Sequence, residues 1–297
     1  MDLENPSWHR SAGTFCIVAV ALPLALAEPA APSPRWQVNF SATSQGKAAE
    51  STAVALDESL LVAVVASGAD SSAAKVMLGT RPVSGKVLGF DPVSRLQFIR
   101  TDSAVPLRRI EWLAAVGGNV NSSLVAMTPT GPVACRASGW VKQVGGKVLP
   151  FALLRVGFDK SVPAAGTALQ DQAGRVVGIV FQNAGSGNTA YVIPCEAVRR
   201  VQRDVANGGL LKRGWLGLAL LAETQAPRIV RVLEDSPAAE AGILPGDLLT
   251  QIGARSITDY ADVANAFFYL IPGQAVKVKL LRGGKTVEFT LNPKSAA

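Results

Sequence analysis

Hydrophobic positions along this chain fall into short runs rather than long helical stripes. Between Trp36 and Pro194, runs rich in Val, Leu and Ile recur at 53–56, 60–65, 86–90, 96–100, 112–116, 147–156, 175–181 and 189–193, with Gly, Asp, Asn and Ser between them. Many short strands separated by turn residues predict an all-β barrel or sandwich. From Cys195 the period changes. Val198, Val201 and Val205 share one helical face, which predicts a helix up to Asn207 with Arg199, Arg200 and Arg203 outside that face. Gly208 and Gly209 end it. A short linker, Leu210-Leu211-Lys212, then leads to a second unit at 213–293, where strand patterns surround a helix read at Asp259–Leu270 and a final hairpin turns at Gly283-Gly284. At the other end, Phe15–Ala27 is an apolar run of 13 residues closing on Ala25-Leu26-Ala27. That is the length of a signal-peptide core with a small-x-small cleavage site, and short for a membrane span. An uncleaved anchor is the alternative, because Asp2 and Glu4 offset Arg10 ahead of the run. Residues 28–35 form a proline-rich spacer.

Composition adds little to this division. With 297 residues, 48% of them hydrophobic, the chain has room for two domains with cores of their own. The formal charge of +7 becomes +8 if residues 1–27 leave with Arg10, Asp2 and Glu4. Basic residues are scattered and aromatics are 6%, which speaks for a solvated surface in an anionic envelope and against a nucleic-acid groove. Cys135 and Cys195 follow the apolar run; in an exported protein they either pair or stay as two buried thiols. With no Cys-x-x-Cys and no clustered carboxylates, neither a metal site nor a cofactor is expected.

The histidine count changes the picture most. The chain has one histidine, His9, and it precedes the apolar run. Hydrolysis by a serine hydroxyl needs a neighbouring base to take its proton, and imidazole is the usual one. Residues 28–297 contain none.

Three segments give that count its meaning. Pro163-Ala164-Ala165-Gly166-Thr167-Ala168-Leu169, followed by Gly174-Arg175-Val176-Val177-Gly178-Ile179, resembles the nucleophile segment of HtrA/Deg-type serine proteases. Leu60–Ala66 resembles the strand that ends in the family's histidine, and Asp91-Pro92-Val93-Ser94-Arg95-Leu96 the segment carrying its aspartate. The resemblance puts the three catalytic places at Ala66 (Val65 if the register slips by one), Arg95 and Ala165. It implies a trypsin-like double β-barrel over 36–209 in which the catalytic triad is degenerate. Pro163 and Thr167 also replace glycines that would let the loop aim its N–H groups at an oxyanion. A Ser-Lys dyad at Lys160-Ser161 needs no histidine, but neighbouring residues on a strand point to opposite faces.

The second unit resembles a PDZ domain. Ser236-Pro237-Ala238-Ala239, Ala241-Gly242-Ile243 and Pro245-Gly246-Asp247-Leu248-Leu249 match the bacterial PDZ signature, with Asp235 in the place of its first glycine. Arg213-Gly214-Trp215-Leu216-Gly217-Leu218 resembles the carboxylate-binding loop and the strand after it. The resemblance implies an α+β domain that takes protein C-termini or unfolded peptides as an added strand. Candidate binding residues are Arg213, Trp215, Leu216, Gly217 and Leu218, with Val263 and Phe267 one helical turn apart on the facing helix. Val263 and Phe267 could equally serve only the domain's core. The whole then reads as a mainly β, periplasmic or secreted, catalytically inactive HtrA-like protein, whose partners are peptides and an active HtrA-type protease. An active serine endopeptidase with a non-standard site is the alternative. Self-association is a further implication of the resemblance, with no contact for it legible in the sequence.

Overall fold

The computed structural model describes residues 36–42, 49–67, 69–102, 110–116, 122–185, 187–207, 209–221 and 227–296. The signal and spacer expected over 1–35, with His9, lie outside the described residues, as do Gly117 and Gly208. None of the described helices is long and apolar enough to cross a membrane.

The first seven strands are β1 (Trp36–Ala42), β2 (Ala49–Ala55), β3 (Leu60–Val64), β4 (Ala69–Leu78), β5 (Arg81–Val83), β6 (Gly85–Asp91) and β7 (Leu96–Thr101). They form one antiparallel sheet in the order β5-β4-β1-β2-β3-β7-β6. Six more follow: β8 (Ser123–Thr128), β9 (Gly131–Val144), β10 (Lys147–Phe158), β11 (Ala168–Gln170), β12 (Val176–Asn183) and β13 (Thr189–Pro194). These close into a barrel. Helix α1 (Cys195–Val205) ends this part.

Alternation along these strands explains the closure. On β3, Leu60, Val62 and Val64 enter a core shared with the barrel, while Leu61 and Ala63, with Val65 just after the strand, enter the first sheet's own core. Both faces are covered, so the strand reads as an unbroken apolar run. β12 is similar: Val176 and Ile179 join the shared core, Val177 and Val180 the barrel interior. On β9 only one face is buried, through Val133, Cys135 and Ala137, with Pro132, Ala134, Arg136 and Ser138 outside.

Two readings need correction. The strand expected at 112–116 does not form. Trp112 makes a single parallel bridge to Val176, and its indole N–H donates to the Ala55 carbonyl at 3.0 Å. The segment works as a brace between β2 and β12. Arg200 is not outside the buried side of α1; it is 5% exposed. Helical periodicity registers the face that meets the barrel, and Arg200 is covered by the second domain. Its Nε donates to the Phe268 carbonyl (3.1 Å), Nη1 to Asp204 (2.8 Å), and Nη2 to the Lys212 (2.5 Å) and Leu270 (3.1 Å) carbonyls.

The remaining elements are β14 (Gly214–Trp215), β15 (Leu218–Leu220), β16 (Ile229–Val232), α2 (Pro237–Glu240), β17 (Leu248–Ile252), β18 (Arg255–Ser256), α3 (Tyr260–Phe268), β19 (Val276–Arg282), β20 (Lys285–Leu291) and β21 (Lys294–Ser295). Leu216, Ile229, Ile243, Leu249, Val263, Val278 and Leu280 pack a separate core. Helix α3 starts on Asp259, whose carboxylate accepts the Asp262 N–H at 2.7 Å. The expected helix over Asp259–Leu270 is therefore slightly shorter, with Asp259 as its cap. Outside this core, α3 meets β10: Asn265 accepts the Ala152 N–H at 2.8 Å, Phe268 stacks on Phe151 at 4.5 Å, and Asp262 pairs with Lys142 of β9 at 2.5 Å. That contact accounts for the continuous burial of Phe151–Leu154 on β10.

Candidate functional site

The segment Asp91–Leu96 is a tight turn closed by its first residue. The buried Asp91 carboxylate accepts the Ser94 N–H (2.7 Å) and hydroxyl (2.6 Å). The chain then passes through Arg95 at φ 57°, a left-handed conformation unusual for a long side chain. The Arg95 carbonyl accepts the Val65 N–H at 2.8 Å, which brings the first two candidate places together. Val65 packs in the first sheet's core and Ala66 is half-buried.

The third place is tied to the same strands. The Ala165 carbonyl accepts the Thr52 N–H (2.9 Å) and the Ser51 hydroxyl (3.0 Å), and the Ser51 oxygen in turn accepts the Val64 N–H (3.3 Å). Gly166 has φ +81°, and a Cβ there would lie 1.7 Å from the Thr52 carbonyl oxygen, so only glycine fits. The Gly166 N–H donates to Val180 at 2.8 Å. Buried Thr167 turns its hydroxyl onto the Ala164 carbonyl at 2.7 Å. The loop is thus held by hydrogen bonds to β2 on one side and β12 on the other.

The groups presented at these places are two methyls and a guanidinium. Arg95 crosses to β12, where it donates to Gln182 Oε1 at 2.8 Å and lies 4.1 Å from the centre of the Phe181 ring. Burial pulls its pKa below the usual guanidinium value. A methyl cannot attack a carbonyl, and a guanidinium holds its protons too tightly to act as a base. The Ser51 hydroxyl is spent on backbone carbonyls. Lys160 and Ser161 are exposed. Gln182 and Phe181, as partners of Arg95, carried no local sequence signal.

Both cysteines are free and buried in different cores. Burial pushes the Cys135 thiol up to about 11 and the Cys195 thiol, with the Glu196 charge beside it, up to about 12. Neither is ionised near neutrality.

In the second domain, Gly217 has φ +80°, and a Cβ there would lie 2.0 Å from Ser236 Cβ. The Leu216 carbonyl accepts the Ala238 N–H of α2 (3.0 Å) and the Gly217 carbonyl the N–H of Leu233, just after β16 (2.9 Å), which hold the 215–217 loop between the two. Trp215 is half-buried and reaches to 3.4 Å of that Cβ position, which puts its ring against the loop. Arg213 is exposed, Leu218 half-buried, Val263 2% exposed inside the core, and Phe267 half-buried against it. β15 is hydrogen-bonded to β16 along one edge. The signature residues hold the scaffold. Ser236 caps α2 by accepting the Ala239 N–H at 3.1 Å, and Asp247 takes a bidentate Arg282 fork at 2.8 and 2.7 Å. That fork holds the Asp247 carboxyl below the usual range.

Comparison with known proteins agrees with this architecture. Residues 214–292 match the PDZ domain family. The chain is 26% identical over 234 residues to a probable periplasmic serine endoprotease DegP-like of Brucella suis, covering 70% of this chain and 45% of the relative. It is 26% identical over 240 residues to the periplasmic pH-dependent serine endoprotease DegQ of Escherichia coli, covering 73% and 53%. The chain thus spans about half the length of the curated relatives it matches. Among solved structures, the HtrA-type protease AlgW with tripeptide superposes with a TM-score of 0.63 at 22% identity, over 90% of this chain and 95% of that one. The serine endoprotease from Yersinia pestis gives 0.54 at 17%, over 89% and 95%. A trypsin-like fold ahead of a PDZ domain is thus what this chain shares with the HtrA-type and DegP-like proteases it is similar to.

Proposed function

We propose that this chain is a catalytically inactive HtrA-like pseudoprotease that binds protein C-termini or unfolded peptides through its PDZ domain and serves as a scaffold or adaptor in the cell envelope, periplasmic or secreted. The observation that carries the reading is the absence of histidine from residues 28–297, which leaves a serine no imidazole to take its proton. Ala66, Arg95 and Ala165 stand in the triad's places, and the Arg95 contacts with Phe181 and Gln182 occupy the region between β7 and β12.

The PDZ part does the binding. An incoming peptide adds antiparallel to the edge of β15 that β16 leaves open. Gly217 lets the 215–217 backbone turn toward the terminal carboxylate, and the exposed Arg213 adds attraction. Leu216 fixes the loop from the core, Trp215 buttresses it, and Leu218 faces the peptide. Phe267 forms the half-exposed wall of the pocket, with Val263 behind it in the core. An active HtrA-type protease is a further partner, reached through the barrel.

The relatives' description as serine endoproteases favours one second reading, an active endopeptidase with a non-standard site. The test is a library of C-terminal peptides probed with the mature chain, each peptide made with a free and an amidated terminus. Free termini bind and amidation weakens them at least tenfold. Equal binding of both forms, or none, would rule out carboxylate capture.

A further inference from the structure

A concavity of about 470 Å³ opens on the trypsin-like part where the start of β3, β7 and the C-terminal half of α1 meet. Three arginines line it: Arg100 from β7, and Arg199 and Arg203 from α1. Each is steadied by one neutral acceptor. Arg199 donates to the Trp112 carbonyl at 2.8 Å, Arg100 to the Ser59 hydroxyl at 3.1 Å, and Arg203 to Gln274 Oε1 at 3.2 Å. Among the described residues none of the three pairs with a carboxylate, whereas Arg200 on the same helix pairs with Asp204. The one acidic group in the bowl, Asp57, spends Oδ1 on the N–H groups of Ser59 (2.8 Å) and Leu60 (2.7 Å). The amides of Gln202 and Asn207 complete the polar lining.

Cations near a helix C-terminus complement its dipole, and that accounts for Arg203 in the last turn of α1. It does not account for Arg100, which a strand brings to the same bowl from nearly a hundred residues earlier. Three positive charges against the single Asp57 carboxylate leave the bowl's lining net positive, which favours an anion there. Guanidinium forks suit the oxygens of a tetrahedral anion, several N–H groups of each arginine have no partner among the described residues, and the bowl exceeds what one phosphate fills.

We propose that this bowl binds a phosphorylated ligand, a diphosphate or the phosphate-bearing head group of a lipid, through Arg100, Arg199 and Arg203. The site is separate from both the PDZ groove and the triad positions, so it stands whether or not peptide binding does.

Isothermal titration of the full mature chain with inorganic pyrophosphate tests it. One-site binding is expected, weakened at least tenfold by Arg199→Gln with Arg203→Gln, and unchanged by Arg81→Gln with Arg136→Gln, which removes the same charge from exposed residues elsewhere. Thermal melts of both double variants establish that they are folded, and Arg100→Gln alone, at a strand position, gives a second chance to see the loss. Co-sedimentation with phosphatidylglycerol vesicles, competed by pyrophosphate, identifies a lipid source; pyrophosphate binding without vesicle binding identifies a soluble one. Either supports the site. No pyrophosphate binding by the parent chain, or equal weakening in both double variants, overturns it.

Discussion

Asp235 shows how much a single backbone angle carries. The PDZ signature has glycine at this place, and here an aspartate adopts φ 54°. Non-glycine residues reach that region at a cost, aspartate less than most. Asp235→Gly should therefore raise stability by about 0.5–1 kcal/mol, seen as a higher urea midpoint with unchanged slope. Its backbone carbonyl, which accepts from Lys294 at 2.7 Å, survives the change. Asp247 carries the opposite lesson. It is 2% exposed, and its carboxylate accepts from Arg282 twice and from the Leu244 N–H at 3.0 Å. Asp247→Asn should cost about 1–2 kcal/mol near neutrality. Because the folded pKa lies below the unfolded one, this stabilisation is complete above the unfolded value of about 3.9 and is lost as pH falls through the folded value. Parent and variant melting curves should differ at pH 7 and converge as pH falls below the unfolded value of about 3.9. A gap that persists or widens in acid would contradict this role.

Elements were legible where the information was local. The turn, cap and bend of Ser236–Asp247 follow from short-range chemistry, and the glycine pair 283–284 set the last hairpin, with φ 55° and 77°. β9 was hard to see because its buried positions include Cys135 and Ala137 and its exposed ones Arg136 and Ser138, with no β-branched run. The 112–116 run is apolar because Trp112 inserts under β2, not because it extends a sheet. Arg200 was invisible for a different reason: its partners sit 4, 12, 68 and 70 residues away, three of them backbone carbonyls beyond α1. Arg200→Met keeps the stem's bulk and strands those carbonyls, for a cost of about 2–4 kcal/mol. Faster trypsin cleavage at Lys212 and Arg213 should accompany the loss, with partial recovery in Arg200→Lys. Unchanged cleavage would mean that Arg200 does not hold the linker.

At the scale of the whole chain, the PDZ helix α3 does two jobs. One side builds the PDZ core through Val263 and Ala266; the other docks on the barrel through Asp262, Asn265 and Phe268. Burial alone would raise the Asp262 pKa, but Lys142 and Thr258 more than offset it, so this docking also weakens in acid. Lys142→Ala should leave the PDZ fold intact and lower the melting temperature by a few degrees. The fold class was readable because β alternation and the PDZ signature are periodic or local. At the candidate catalytic places the residue types were legible in the sequence, but not the Arg95 contacts with Phe181 and Gln182, which join residues almost ninety positions apart. The central claim is that no serine within residues 28–297 is activated. Incubation with a fluorophosphonate probe, read by gel fluorescence beside a casein digest, tests it most directly. The account predicts no labelled band and intact casein; a labelled serine or cleaved casein would contradict it.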